Sequence, residues 1–94
     1  MVLVNTFLGS ITVSWEAMLT TGNQLKAARA LIGLDQTALA KIAGLNVNTI
    51  RNMEASGPKP IAGRAANVHA VQAALEQEGI EFTNGNRPGV RLHG

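Results

Sequence analysis

QTALAKIAGLNVNTIRNMEA, running from Gln36 to Ala55, is the most constrained part of this chain. With Gln36 as the first position, Ala40 falls fifth, Gly44 ninth, Ile50 fifteenth and Met53 eighteenth. Two helices that cross steeply need a small side chain where they come closest, and Ala40 supplies it. The bend between them needs a residue that accepts positive φ without a Cβ penalty, and Gly44 supplies that. Ile50 and Met53, three apart, put one apolar stripe of the second helix against the first. Sterics, backbone and periodicity agree on a helix-turn-helix.

Working outward, Thr21 with Gln24 three residues on forms a capping box for a preceding helix. Leu25, Ala28, Leu31 and Ile32 are its expected apolar stripe, and Gly33 its stop. Asp35 caps the helix Gln36 to Ala43, and its charge suits the helix dipole. Asn46 caps the next helix, about Val47 to Ala55. Ser56-Gly57-Pro58-Lys59-Pro60 then breaks the helical pattern. A last helix is expected from about Arg64 to Glu78, with Val68, Val71 and Leu75 inward and Gly79 beyond its end. Glu76 and Glu78 lie where the dipole favours cations, a local conflict. Ile80 to Thr83 and Val90 to Leu92 read as a closing β-hairpin around Asn84 to Gly89. A lone hairpin is marginal in water, so it must pack on the helices or on another chain.

Residues 1–17, MVLVNTFLGSITVSWEA, read in two ways. Val2, Val4, Ile11, Val13 and Trp15 alternate as strands do, with Gly9-Ser10 as a turn, giving an N-terminal β extension. The other reading is an unstructured leader, with Met18 as the usual start. No Lys or Arg precedes Lys26, which argues against a signal peptide, and the apolar run is short for a membrane span. The expected organisation is an extension at 1–17, a helix-turn-helix domain at 18–79 and a hairpin tail at 80–94. The fold class is all-α, a compact bundle of four to five helices with that hairpin.

Ninety-four residues suffice for one modest core. The absence of cysteine excludes disulfides and thiolate metal sites, and a reducing, cytoplasmic compartment fits. Three aromatics, none of them Tyr, leave little for stacking on single-stranded bases. The net charge is +2, unevenly spread. Lys26, Arg29, Lys41, Arg51, Lys59 and Arg64 face only Asp35 and Glu54, so the segment from 26 to 64 carries +4, whereas each flank carries −1. Positive charge thus gathers around the helix-turn-helix, as a polyanionic partner requires.

With Ile50 and Met53 inward, Val47, Asn48, Arg51 and Asn52 face away from the preceding helix. That is the face a recognition helix lays in the major groove of double-stranded DNA. Asn can bond adenine bidentately, Arg can bond guanine, and Val can pack on a thymine methyl. Gln36, Thr49 and Asn46 are candidates for the DNA backbone, Gln36 because it opens a helix whose free amides favour anions. Lys26, Lys41 and Lys59 would add non-specific attraction. His69 and His93 are the only histidines, and His69 lies off the apolar stripe beside Gln72 and Glu76. No Ser/His/Asp arrangement, carboxylate pair, metal-ligand spacing or phosphate loop stands out, so no enzyme, cofactor or metal is expected.

From Leu25 to Glu54 the chain resembles the lambda-repressor-like, or XRE, family of small bacterial transcription regulators. The matching residues are Ala28-Arg29, Leu34-Asp35-Gln36, Leu39-Ala40, Ala43-Gly44, Asn46, Thr49-Ile50 and Met53-Glu54. The resemblance implies an ion pair of Arg29 with Glu54, Gln36 against the DNA backbone and the outward residues of the recognition helix against bases. The tail GIEFTNGNRPGVRL is similar to that of short regulators of this type whose chains begin near Met18. Asp35 stands where Ser or Thr is commoner, and residues 1–17 have no counterpart. The expected function is sequence-specific DNA binding by a homodimer. The alternative on the same scaffold is a protein-interaction module, either an anti-activator or an antitoxin paired with its toxin.

Overall fold

A computed structural model of the chain describes residues 18–84 and 87–93. The order of elements among them is α1 (Gly22–Ile32), α2 (Gln36–Ala43), α3 (Val47–Glu54), α4 (Ala65–Gln77), β1 (Ile80–Thr83) and β2 (Gly89–Leu92). The expected bundle is present with four helices among the described residues, closed by the expected hairpin. The N-terminal extension, and Gly85 and Asn86 of the hairpin loop, lie outside the described residues.

Local chemistry sets each helix start. The Thr21 hydroxyl accepts from the Gln24 amide at 3.1 Å, and the Gln24 side chain answers by accepting from the Thr21 amide at 2.9 Å. Asp35 accepts from the Ala38 amide at 2.7 Å, and Asn46 from the Asn48 amide at 2.8 Å. Each cap satisfies one of the backbone donors that a helix start leaves open. Between α2 and α3 the chain turns through Gly44 at φ 72, where its amide donates back to the carbonyl of Lys41. The fourth helix begins differently. Arg64 occupies its cap position with no side-chain cap bond.

One core joins all the elements. Leu25 and Ala28 from α1, Leu39 and Ala40 from α2, and Ile50 and Met53 from α3 meet Val71, Ala74 and Leu75 from α4. Ile80 and Phe82 close it from β1. The hairpin is antiparallel, pairing Ile80 with Leu92, Glu81 with Arg91, Phe82 with Val90 and Thr83 with Gly89. β2 packs on α1 and β1 on α4, which answers the need of a lone hairpin for support.

Leu31 departs from the expected stripe of α1. It is 46% exposed, whereas Leu25 and Ala28 are fully buried. The cause is helical drift. Each step of three residues falls short of a full turn, so Leu31, two such steps beyond Leu25, has rotated about 120° from it. Ile32 lies nearer the stripe and packs against the core. No helix of the described residues is long and apolar enough to cross a membrane.

Candidate functional site

The packing of α3 determines which of its residues are free to act. Ile50 is fully buried and Met53 is 2% exposed, so the helix is pinned along one side. Asn48, Arg51 and Asn52 are left exposed on the other. Val47 differs from its expected place, being half-buried and packed against the core cluster as well as part of the outer face. At the first position of a short helix the side chain leans back over the preceding turn, towards the body of the domain.

A three-residue polar knot anchors the far end of α3. Glu54, 4% exposed, receives Nε and Nη2 of Arg29 from α1, the latter at 2.9 Å, and Nε2 of Gln36 from α2 at 3.0 Å. Nη1 of Arg29 also donates to the Leu34 carbonyl at 3.0 Å. Hydrogen bonding to Glu54 raises the pKa of Arg29 above its ordinary value. Burial opposes this, and the charges of Glu54 and then Asp35 reinforce it. The pair implied by the family resemblance therefore forms. The side chain of Gln36, a candidate for the DNA backbone, is engaged in the same knot. The backbone at the start of α2 stays at the surface, with Gln36 half-buried and Thr37 exposed.

Two depressions flank α3. One, of about 510 Å³, lies towards α1 and α2 and is lined by Lys26, Arg29, Asp35, Gln36, Arg51 and Glu54. The other, of about 340 Å³, lies towards α4 and is lined by Thr49, Asn52, Gly63, Arg64, Asn67 and Val68, among others. The outer face of α3 is thus a polar ridge with a cation on either side: Lys26 and Arg51 in the first depression, Arg64 in the second. The fold brings Lys26, Gln36 and Arg51 together, and separately joins Thr49 to Asn52. Lys41 is exposed on α2 and lines neither depression. Asn46 is exposed, its side-chain oxygen used in capping.

Arg64 and Asn67 were not among the sequence-predicted site residues. Arg64 belongs to the basic segment, and the sequence signal for its placement is the Pro-containing break before α4, after which it lines one depression with Thr49 and Asn52. On α3 itself, Nη1 of Arg51 donates to Oδ1 of Asn48 at 2.8 Å, so two of the base-reading candidates bond to each other. His69 and His93 are both exposed. Among the described residues no group of three His, Asp or Glu side chains is placed to hold a metal ion. Comparison of the sequence with known protein families and with curated proteins finds no match in either.

Proposed function

We propose that the protein is a non-catalytic, sequence-specific regulator of transcription that lays α3 in the major groove of double-stranded DNA. The observation that carries this reading is the polar ridge of Asn48, Arg51 and Asn52, raised between depressions that hold Lys26 on one side and Arg64 on the other. A groove-reading helix needs donors and acceptors on its crest and cations beside it for the two phosphate strands. The resemblance of residues 25–54 to the lambda-repressor-like family supports the same reading. One such unit spans only a few base pairs, so the proposal includes a homodimer on half-sites about one helical turn apart.

Selection of bound sequences from a random duplex pool, at low and near-physiological salt, tests this reading. An enriched two-fold symmetric site is the expected result. No enrichment and no salt-sensitive retention would overturn it. A second reading, a protein-interaction module of the anti-activator or antitoxin kind, is favoured by large apolar side chains left at the surface. Leu31, Ile42 and Leu92 are each close to half exposed. A failed selection followed by recovery of one stoichiometric protein partner would support it.

A further inference from the structure

We infer that Asn48 and Arg51 read DNA as one unit, Asn48 being a positioning residue that aims the Arg51 guanidinium at a guanine. This rests on the DNA-binding reading above. Each candidate taken singly has its own target, adenine for Asn and guanine for Arg. The geometry on α3 removes that independence. Nη1 of Arg51 donates to Oδ1 of Asn48 at 2.8 Å, one turn back along the helix, and both residues are exposed on the ridge.

The bond has opposite consequences for the two side chains. Bidentate adenine recognition needs Oδ1 of Asn48 as acceptor and Nδ2 as donor. With a cationic donor already on it, Oδ1 is a poorer acceptor for a second proton. Arg51 has five N–H groups in a planar fork and spends one of them on Asn48. Its Nε–Nη2 edge remains whole, a matched pair of donors for guanine O6 and N7. The backbone of Asn48, from which that side chain springs, is held by its amide donating to the Asn46 cap at 2.8 Å. The chain of restraint runs from the cap to Asn48 and from Asn48 to the guanidinium. An exposed arginine that is already ordered loses less side-chain entropy on binding, which is the general advantage of preorganisation.

The test uses the full chain, the duplex enriched in selection, and its single-base-pair variants. Wild type, Asn48→Ala, Arg51→Ala, the double mutant and Asn48→Asp are compared for discrimination at every position. Arg51→Ala should cost roughly tenfold or more in preference for one G·C pair, as loss of a bidentate contact does. Asn48→Ala should weaken the preference at that same pair by roughly threefold to tenfold, the worth of one hydrogen bond. The double mutant should lose no more than Arg51→Ala. Asn48→Asp keeps the acceptor, so it should retain the guanine preference while overall affinity falls through phosphate repulsion. Melting temperatures should stay level, because both side chains are exposed.

Relaxation by Asn48→Ala at a different pair, or additive losses in the double mutant, would overturn the unit while leaving the DNA-binding reading intact. Failure of the wild type to enrich any duplex would overturn both.

Discussion

Arg29 in α1 and Glu54 at the end of α3 are joined by two hydrogen bonds across twenty-five residues of sequence, and the carboxylate is almost wholly buried. A buried carboxylate is tolerable only when paired and hydrogen-bonded, and Gln36 completes its set. Arg29→Ala leaves that charge without its cation. The expected loss is about 3 kcal/mol, read as a lower urea midpoint with an unchanged m-value.

The same pair sets a pH response. The pKa of Arg29 is raised in the folded state, so its contribution is fully present below the ordinary arginine value and is lost only as pH climbs through the raised one. Stability from this pair should therefore hold steady through the alkaline range that proteins survive. In Arg29→Lys the contribution should begin to fall once pH exceeds about 10.4, the ordinary lysine value. Urea midpoints of both proteins from neutral pH upward would show the gap widening only at the alkaline end.

Gly22 opens α1 against the backbone of α3. A Cβ there would sit 2.7 Å from the carbonyl oxygens of Met53 and Glu54 and 2.8 Å from the Gly57 nitrogen. The neighbouring amide, Asn23, donates to the Gly57 carbonyl at 2.9 Å, so the two segments cannot part cheaply. Gly22→Ala should cost about 2 kcal/mol, or roughly 10 °C in melting temperature for a domain of this size. Calorimetry would measure it.

Gln24 does two jobs with one amide. Its oxygen accepts from the Thr20 and Thr21 amides at 2.8 and 2.9 Å. Its nitrogen faces the Thr83 carbonyl, Asn84 Oδ1 and the Gly89 carbonyl at 3.1 to 3.2 Å. Gln24→Glu keeps the cap but turns a donor into an acceptor among three acceptors. Hydrogen exchange should accelerate in β1 and β2 and stay slow in α2 and α3. Gln24→Ala keeps the bond from its own backbone amide to the Thr21 hydroxyl but also leaves the Thr20 and Thr21 amides without their side-chain acceptor, costing about 2 to 4 kcal/mol.

Arg51→Ala should weaken binding to the selected site by about 1 to 3 kcal/mol with no change in melting temperature. Lys26→Ala should act alike on all sequences and lower the salt slope by about one. Fluorescence anisotropy over a salt series separates the two effects.

Much of this fold is legible because short-range rules and packing agree. Thr21 with Gln24, Asp35, Asn46 and Gly44 each mark a boundary by their own backbone chemistry, and Ile50 with Met53 orient α3. Leu31 misleads because spacings of three and of four both suit a helix, and only the neighbouring elements decide which flank is covered. Val47 packs partly inward for a related reason, since the first residue of a helix leans over the turn before it. The second partner of Gln24, the hairpin, lies about sixty residues away, and no local pattern announces it. The second depression is equally silent in sequence, because Arg64 and Asn67 come to line it with Asn52 only through the path of the loop before α4.

The clasp at Gly22 separates what holds α3 from what α3 displays. The helix is fastened by backbone contact at its end, by the Glu54 knot and by Ile50 and Met53, none of which belongs to the exposed set Asn48, Arg51 and Asn52. On the DNA-binding reading proposed above, those three positions form an exchangeable cassette on a fixed mount. Descendants or engineered versions of this chain could rewrite the cassette freely and keep the same bundle, so divergence in what is recognised need leave no trace in how the protein folds.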